Sequence, residues 1–235
     1  MLVAPFAFFY TAVYTESLFL LEVVAAIWFA RREQWWKAGI VAALASATRL
    51  VGLAVIGGVL WAAFKRGVGL SRLIPLAAIG ASGIIAFFLY LGYKVDNVFA
   101  YFDTQSQWGG WNDHVWFYVK LFLQHPREAL QGDPRHLIII GNVLLGLICL
   151  ALVPTMFRRL DPATAMISGL LIVGQFLITW VSLGRYLMPA VGIYLAAALI
   201  LSGEHRTVWR QAILASSLIA MTGLTLLFAV GFWVV

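Results

Sequence analysis

Charged residues are scarce in this chain, and their scarcity limits where the protein can reside. Only 11% of its 235 residues are Asp, Glu, Lys or Arg, whereas soluble domains carry about 25%. So few charges cannot cover a surface that faces water. The sequence also lacks period-2 alternation, which excludes a transmembrane β-barrel. Helices remain, because a helix satisfies its own backbone hydrogen bonds inside a bilayer.

Other absences exclude whole classes of function. A single cysteine, Cys149, can form no intrachain disulfide. The chain has no Walker A, GxSxG, HExxH or paired CxxC motif, and no cofactor or metal is expected. The net charge of +6 is explained by basic residues at cytoplasmic helix ends. Nucleic acid is not an expected partner, since no basic patch with interleaved aromatic residues lies outside the apolar runs.

Apolar runs predict an all-α, polytopic transmembrane helix bundle that forms a single domain, residues 1–235. A spanning helix needs about 20 residues, and two of the eight candidate segments are shorter. The expected location is integral and multi-pass, in the cell membrane of a prokaryote or the endoplasmic reticulum of a eukaryote. The eight candidates are Tyr14–Ala30, Ala38–Thr48, Leu50–Phe64, Leu73–Tyr93, Leu137–Thr155, Ala163–Val181, Tyr186–Ser202 and Gln211–Val235.

Loop charge distinguishes a short hairpin from a single helix over Ala38–Phe64. Basic clusters flank this region at 31–37 and 65–72. One continuous span would place the clusters on opposite sides of the membrane, whereas a hairpin turning at Arg49 keeps both inside, as the positive-inside rule prefers. With the hairpin, both termini face outward. Ten basic residues then lie inside, namely Arg31, Arg32, Lys37, Lys65, Arg66, Arg72, Arg158, Arg159, Arg206 and Arg210.

One long loop, residues 94–136, is predicted on the outer side. It contains an aromatic stretch, His114–Gln124, of the amphipathic kind that lies along a membrane interface, and a second short helix between Pro126 and Gly132. Loops of this length are often functional. Trp with nearby Gln and Asp is a common way to hold a sugar, although an interfacial aromatic belt gives the same pattern. The candidate sugar-binding residues are Gln107, Trp108 and Asp113.

Three charged residues lie at the outer ends of predicted helices, where an isolated charge is costly. Glu16 can be part of an N-terminal cap with Thr15 and can also be a carboxylate that faces a cavity, since the two roles are compatible. Arg49 either snorkels or binds a phosphate, and Arg185 is either an interfacial anchor or a second cation. We expect all three to meet in one cavity, since each needs a polar neighbour, with Trp108 and Tyr186 near its rim. Other polar and small residues, namely Glu22, Gly57, Gly58, Gly83 and Gly169, are predicted to bond or pack within the bundle.

A series of short motifs resembles the PIG-V-type mannosyltransferases of the GT-C glycosyltransferase superfamily. The motifs touch most of the chain, and Tyr14-Thr15-Glu16-Ser17 is the most specific part. In order they are Pro5-Phe6 through Tyr14-Thr15-Glu16-Ser17-Leu18-Phe19, Trp36-x-x-Gly39, Ala45-x-Ala47-Thr48-Arg49-x-x-Gly52 and Gly184-Arg185-Tyr186-x-x-Pro189.

The resemblance implies transfer of a sugar, with inversion, from a polyprenyl- or dolichyl-phosphate donor to a glycan or glycolipid acceptor at the outer or lumenal face. An acid acts as general base on the acceptor, and cations stabilise the departing lipid phosphate. Glu16 is the candidate catalytic residue. Arg49 and Arg185, with Tyr14, Ser17 and Tyr186, are the candidate substrate-binding residues.

The chain departs from the family in one respect. GT-C enzymes carry their main acid in the first outer loop, and no acid precedes Glu16 here. We therefore expect the chain to lack the family's N-terminal part and its catalytic acid. Two other functions stay open. A lipid or small-anion transporter would place polar residues near mid-membrane, and a non-catalytic membrane scaffold would need no site.

Overall fold

The computed structural model describes residues 3–12, 14–107, 120, 123–124, 126, 134–178 and 182–231. Within those ranges the chain forms helices and turns and no strand, so the predicted all-α class is confirmed. Short 3-10 helices cover Ala7–Tyr10, Leu50–Gly52 and Glu204–Arg206. The α-helices are α1 (Glu16–Arg31), α2 (Trp35–Thr48), α3 (Leu53–Lys65), α4 (Leu70–Val95), α5 (Ala100–Gln107), α6 (Pro134–Arg159), α7 (Pro162–Ile178), α8 (Leu183–Leu187), α9 (Val191–Leu201) and α10 (Thr207–Ala229).

Three of these helices are long and apolar enough to cross a membrane. They are α4, the 20-residue part of α6 from Ile140 to Arg159, and α10. Their length and composition identify a membrane protein. The other predicted segments contain shorter helices. The 16 residues of α1 span about 24 Å against a hydrocarbon core of about 30 Å. Eight crossings therefore stay a prediction.

The predicted segment Tyr186–Ser202 is wrong as a continuous helix. α8 ends at Leu187, and α9 begins only at Val191. Pro189 lies between them, and proline both lacks a backbone N–H and clashes with the preceding turn of a helix. The break leaves Arg185 on a short helix of its own.

The predicted hairpin at Arg49 is confirmed. α2 ends at Thr48, and Arg49 has an extended backbone with φ −150° and ψ 142°. At the far end of the hairpin, Arg66 Nη1 lies 2.9 Å from Glu33 Oε1. Glu33 precedes α2 and Arg66 follows α3, so the two helices run antiparallel.

The charged loops separate to two ends of the bundle. Arg31 Nε lies 3.6 Å from Asp161 Oδ2, which brings the α6–α7 connection to the end that holds Glu33 and Arg66. We call this the basic end. Glu16, at the start of α1, lies at the opposite end. Most of the predicted cytoplasmic residues thus flank one end, and which side of a membrane it faces stays a prediction.

Small residues bring the helices close together, as predicted. A Cβ atom at Gly58 would collide with Ile167 on α7, and one at Gly83 would collide with the Ala43 carbonyl. Gly57 and Gly169 face α7 and α6 side chains at close range in the same way. These contacts form the core between α2, α3, α4 and α7.

Two further predictions concern Glu22 and the outer loop. Glu22 is buried, and its Oε1 accepts a hydrogen bond from Thr48 Oγ1 at 2.8 Å, which confirms the predicted bond within the bundle. In the loop, α5 was not predicted; its Phe102 ring stacks on Phe88 of α4 at 5.8 Å. The predicted loop helices, His114–Gln124 and the one after Pro126, lie almost wholly outside the described residues.

Candidate functional site

One carboxylate oxygen joins three distant segments at the end of the bundle opposite the basic end. Glu16 Oε1 accepts a hydrogen bond from Arg49 Nη1 at 2.8 Å and another from Arg185 Nε at 2.6 Å. Glu16 is fully buried, and the side chains of Arg49 and Arg185 are 16% and 11% exposed. The predicted convergence of these residues is confirmed. We call them the charge cluster.

Glu16 reaches the cluster from the first turn of α1. Thr15 holds the N-cap position, but its side chain makes no capping hydrogen bond. The interpretation of Thr15 as a side-chain cap is therefore wrong. The carboxylate of Glu16 is taken up instead by Arg49 and Arg185.

Arg49 is placed by the tight turn that follows α2. Its backbone N–H donates to the Ala45 carbonyl at 3.1 Å, and the Gly52 N–H donates to the Arg49 carbonyl at 2.8 Å. A Cβ atom at Gly52 would collide with the Ala45 carbonyl, so only glycine lets the chain fold back this closely. The spacing Ala45-x-Ala47-Thr48-Arg49-x-x-Gly52 thus has a geometric cause. Since Arg49 is nearly buried and ion-paired, the snorkelling interpretation is wrong.

Arg185 is held by a contact that sequence reasoning missed. The Gly184 N–H donates to Asn142 Oδ1 at 2.9 Å, and Asn142 is buried on α6. A Cβ atom at Gly184 would collide with the Phe6 ring. An amide side chain inside an apolar run is the signal that would have identified Asn142.

Aromatic rings surround both guanidinium groups. The Arg185 Cζ atom lies 4.1 Å from the ring centroid of Tyr14 and 4.5 Å from that of Phe9, and Arg49 Cζ lies 4.8 Å from that of Tyr186. Such stacking stabilises a cation, more strongly where water is excluded. Tyr14 and Tyr186, which the sequence analysis named as candidate site residues, therefore contact the cluster. Phe9 also contacts it, but the sequence analysis did not identify Phe9.

Two further tyrosines lie close to the cluster. Burial raises the pKa of the Tyr10 hydroxyl well above its usual value, and Tyr194 and the Glu16 carboxylate raise it further. Burial also raises the pKa of Tyr101 on α5, with nearby Tyr186 adding to the effect and Arg49 opposing it. Tyr101 thus brings α5, at the start of the 94–136 loop, within electrostatic range of Arg49.

Hydrogen-bonding capacity remains unused in the cluster. Each guanidinium has five N–H donors, and within the described residues each donates only to Glu16. The buried Glu16 Oε2 and Tyr10 hydroxyl likewise have no hydrogen-bond partner in the described part of the chain. Two arginines against one glutamate leave a positive charge, so the arrangement suits an anion that also carries hydroxyl groups.

Four candidates remain, and only the side chain of Ser17 belongs to the described part of the chain. Ser17 is exposed and makes no hydrogen bond to Glu16, Arg49 or Arg185, all of which are described. Gln107 is the last residue of α5, and its side chain lies outside the description. Trp108 and Asp113 lie outside the described residues altogether, so their places at the rim and in sugar binding stay predictions.

Comparison with protein-family models, curated proteins and solved structures gave no match. Within the described residues, no three His, Cys, Asp or Glu side chains come together in a way that would hold a metal ion. The chemistry that the described site offers is therefore that of its two arginines, its carboxylate and the surrounding tyrosines.

Proposed function

We propose that this chain is a multi-pass membrane glycosyltransferase of the PIG-V mannosyltransferase type. It transfers a sugar, mannose by resemblance, from a polyprenyl- or dolichyl-phosphate donor to a glycan or glycolipid acceptor at the outer or lumenal membrane face. The observation that carries the proposal is the meeting of Arg49 and Arg185 on one oxygen of Glu16.

The arginine pair suits the phosphate of such a donor. The Arg side chain offers parallel N–H groups that match phosphate oxygens, and it remains charged at every physiological pH. Both guanidinium groups belong to motifs of the resemblance, and both lie at the same end of the bundle although 136 positions separate them. A shared phosphate explains why two cations are brought to one place at the cost of burying them.

In the proposed reaction, an acceptor hydroxyl attacks the anomeric carbon of the donor sugar, and the bond from that carbon to the phosphate oxygen breaks. The lipid phosphate leaves with added negative charge, which Arg49 and Arg185 stabilise. The attacking hydroxyl gives its proton to a general base. Because Glu16 Oε1 accepts from both arginines, Glu16 is a weak base, and its proposed role is to position them. The resemblance assigns the base that takes this proton to an acid in a first outer loop. No acid precedes Glu16 in this sequence, so its residues supply the proposed phosphate site rather than the base.

Transfer activity tests the role of Arg49. Arg49→Lys retains the charge but loses the planar, two-pronged donor, so transfer from dolichyl-phosphate mannose to membrane glycolipids should fall at least about tenfold. Arg66→Lys is the matched control, since Arg66 also pairs with a glutamate but is exposed at the basic end. Equal activity of the two variants would contradict the phosphate role.

The multi-pass arrangement is tested separately by labelling with a membrane-impermeant thiol reagent. Ser106→Cys and Gly203→Cys are made in a Cys149→Ala background, which removes the one native thiol. In intact cells the first variant should be labelled and the second should not. The reverse pattern would invert the topology and place the charge cluster on the cytoplasmic side.

A small-anion or lipid transporter is the second candidate, and Glu22 favours it. Glu22 lies within α1, is 7% exposed, and its Oε2 has no hydrogen-bond partner among the described residues. Transporters carry polar groups of this kind near mid-membrane. Reconstituted vesicles separate the two functions, because a transporter moves a labelled lipid phosphate across the bilayer without forming a glycosidic bond.

A further inference from the structure

A lateral groove opens between α3, α4 and α7 in the half of the bundle that contains the basic end. Its volume is about 540 Å³, within the range of about 300–1,000 Å³ that is typical of small-ligand pockets. Every lining residue is apolar. Gly57, Trp61 and Phe64 form the α3 side, Leu73 and Ile74 the α4 side, and Leu170 the α7 side.

The groove is a shallow slot that follows α3 and is largely open along one side. Gly57 to Phe64 covers about two helical turns, or roughly 10 Å along the membrane normal. Leu73 at its floor is 9% exposed, whereas Phe64 and Ile74 on its walls are 57% and 68% exposed. A Cβ atom at Gly57 would lie 2.9 Å from Leu170 Cδ1, so α3 and α7 close the slot at that level. The slot is therefore narrow beside Gly57 and open along its exposed side.

Two exposed cations, Lys65 and Arg72, follow or precede lining residues of the groove in sequence, and neither forms an ion pair within the described part of the chain. Lys65 Nζ lies 4.8 Å above the Trp61 ring, on the groove wall, and Arg72 is exposed beside Leu73. At the same end Arg66 pairs with Glu33, and Arg31 pairs with Asp161. Within the described part of the chain Lys65 and Arg72 form no ion pair, so their charge is available to a ligand.

We propose that this groove binds an anionic phospholipid. One acyl chain lies in the apolar slot, and the headgroup phosphate contacts Lys65 and Arg72. An anionic headgroup gains from each cation near it, by about a fivefold change in affinity per cation at a membrane surface. The site lies at the other end of the bundle from the charge cluster and does not depend on the proposed glycosyltransferase activity.

Native mass spectrometry of the detergent-purified chain tests this site. Phosphatidylglycerol should be retained in preference to phosphatidylcholine with the same acyl chains. The double variant Lys65→Gln/Arg72→Gln should lower retention of phosphatidylglycerol by about fivefold for each charge removed. Arg158→Gln/Arg159→Gln removes two charges from the end of α6, outside the groove, and should leave retention unchanged.

Two further measurements distinguish the contribution of the apolar groove from that of the two cations. Ala77→Phe adds a ring to the lining and should reduce retention of both lipids. Glycerol 3-phosphate, which has the headgroup charge without acyl chains, should not compete. Equal retention of the two lipids, an equal loss in the control variant, or competition by glycerol 3-phosphate would overturn the proposal.

Discussion

The two ends of the bundle use the same residue types in opposite environments. At one end Glu16 is fully buried and shares a single oxygen with two nearly buried arginines. At the basic end the side chains of Glu33 and Arg66 are 54% and 53% exposed at a similar distance of 2.9 Å. Geometry alone would rank the contacts as equals, and burial distinguishes them.

The difference follows from solvation. An exposed pair loses little on separation, because water and salt replace the lost contact. A buried carboxylate and guanidinium depend on each other, because removal of one leaves an uncompensated charge without water. The charge cluster therefore holds α1, the hairpin turn and α8 together. At the basic end, loss of an ion pair should have little effect on stability.

The largest expected effect comes from Glu16→Ala. It leaves Arg49 and Arg185 buried and mutually repelling, so stability should fall by about 3–5 kcal/mol. Glu33→Ala at the basic end is the control and should cost less than about 1 kcal/mol. Denaturant unfolding in detergent, followed by circular dichroism, measures both. Similar losses would show that burial does not separate the two ends.

Gly52→Ala should have the second largest effect. The added Cβ atom would collide with the Ala45 carbonyl, so the turn must open and carry Arg49 away from Glu16, at a cost of about 1–3 kcal/mol. Gly69→Ala is the matched control, since the nearest atom to its Cβ would be Ser71 Oγ at 3.9 Å. The same unfolding measurement applies, and a neutral Gly52→Ala would contradict the argument from close approach.

Thr48→Val tests the hydrogen bond between α2 and α1 that lies next to the charge cluster. It keeps the shape of the side chain but removes the hydrogen bond to Glu22, which is worth about 0.5–1.5 kcal/mol. The double variant Thr48→Val/Glu22→Leu should lose less than the sum of the two single variants, because either substitution alone already removes the contact. Full additivity in this double-mutant cycle would mean that the contact does not stabilise α2.

The smallest effect is expected for Arg66→Gln. An exposed pair contributes about 0.2–1 kcal/mol, and 1 M salt should abolish that contribution because it reduces the Debye length to about 3 Å. Arg185→Gln should keep most of its larger cost at the same salt concentration, since its partner is fully buried. Unfolding at low and high salt compares them, and equal salt sensitivity would contradict the contrast between the ends.

The parts of the fold that sequence could predict follow from local rules. The hairpin at Arg49 followed from loop charge, and the bond of Glu22 within the bundle followed from the cost of a carboxylate in lipid. Asn142 and Phe9 were missed because their roles depend on residues far away in the chain. The break before Val191 was missed although Pro189 signals it, because the apolar run on both sides favoured one helix.

The sharing of Glu16 also bears on how the protein is made. Arg49 follows Glu16 by 33 positions, whereas Arg185 follows it by 169. During synthesis the first partner emerges soon after α1, and the second emerges only after most of the other helices. Domains fold progressively as the chain is synthesised, so Glu16 and Arg49 first form a simple pair. Arrival of Arg185 then closes the cluster, with α9 and α10 still to follow.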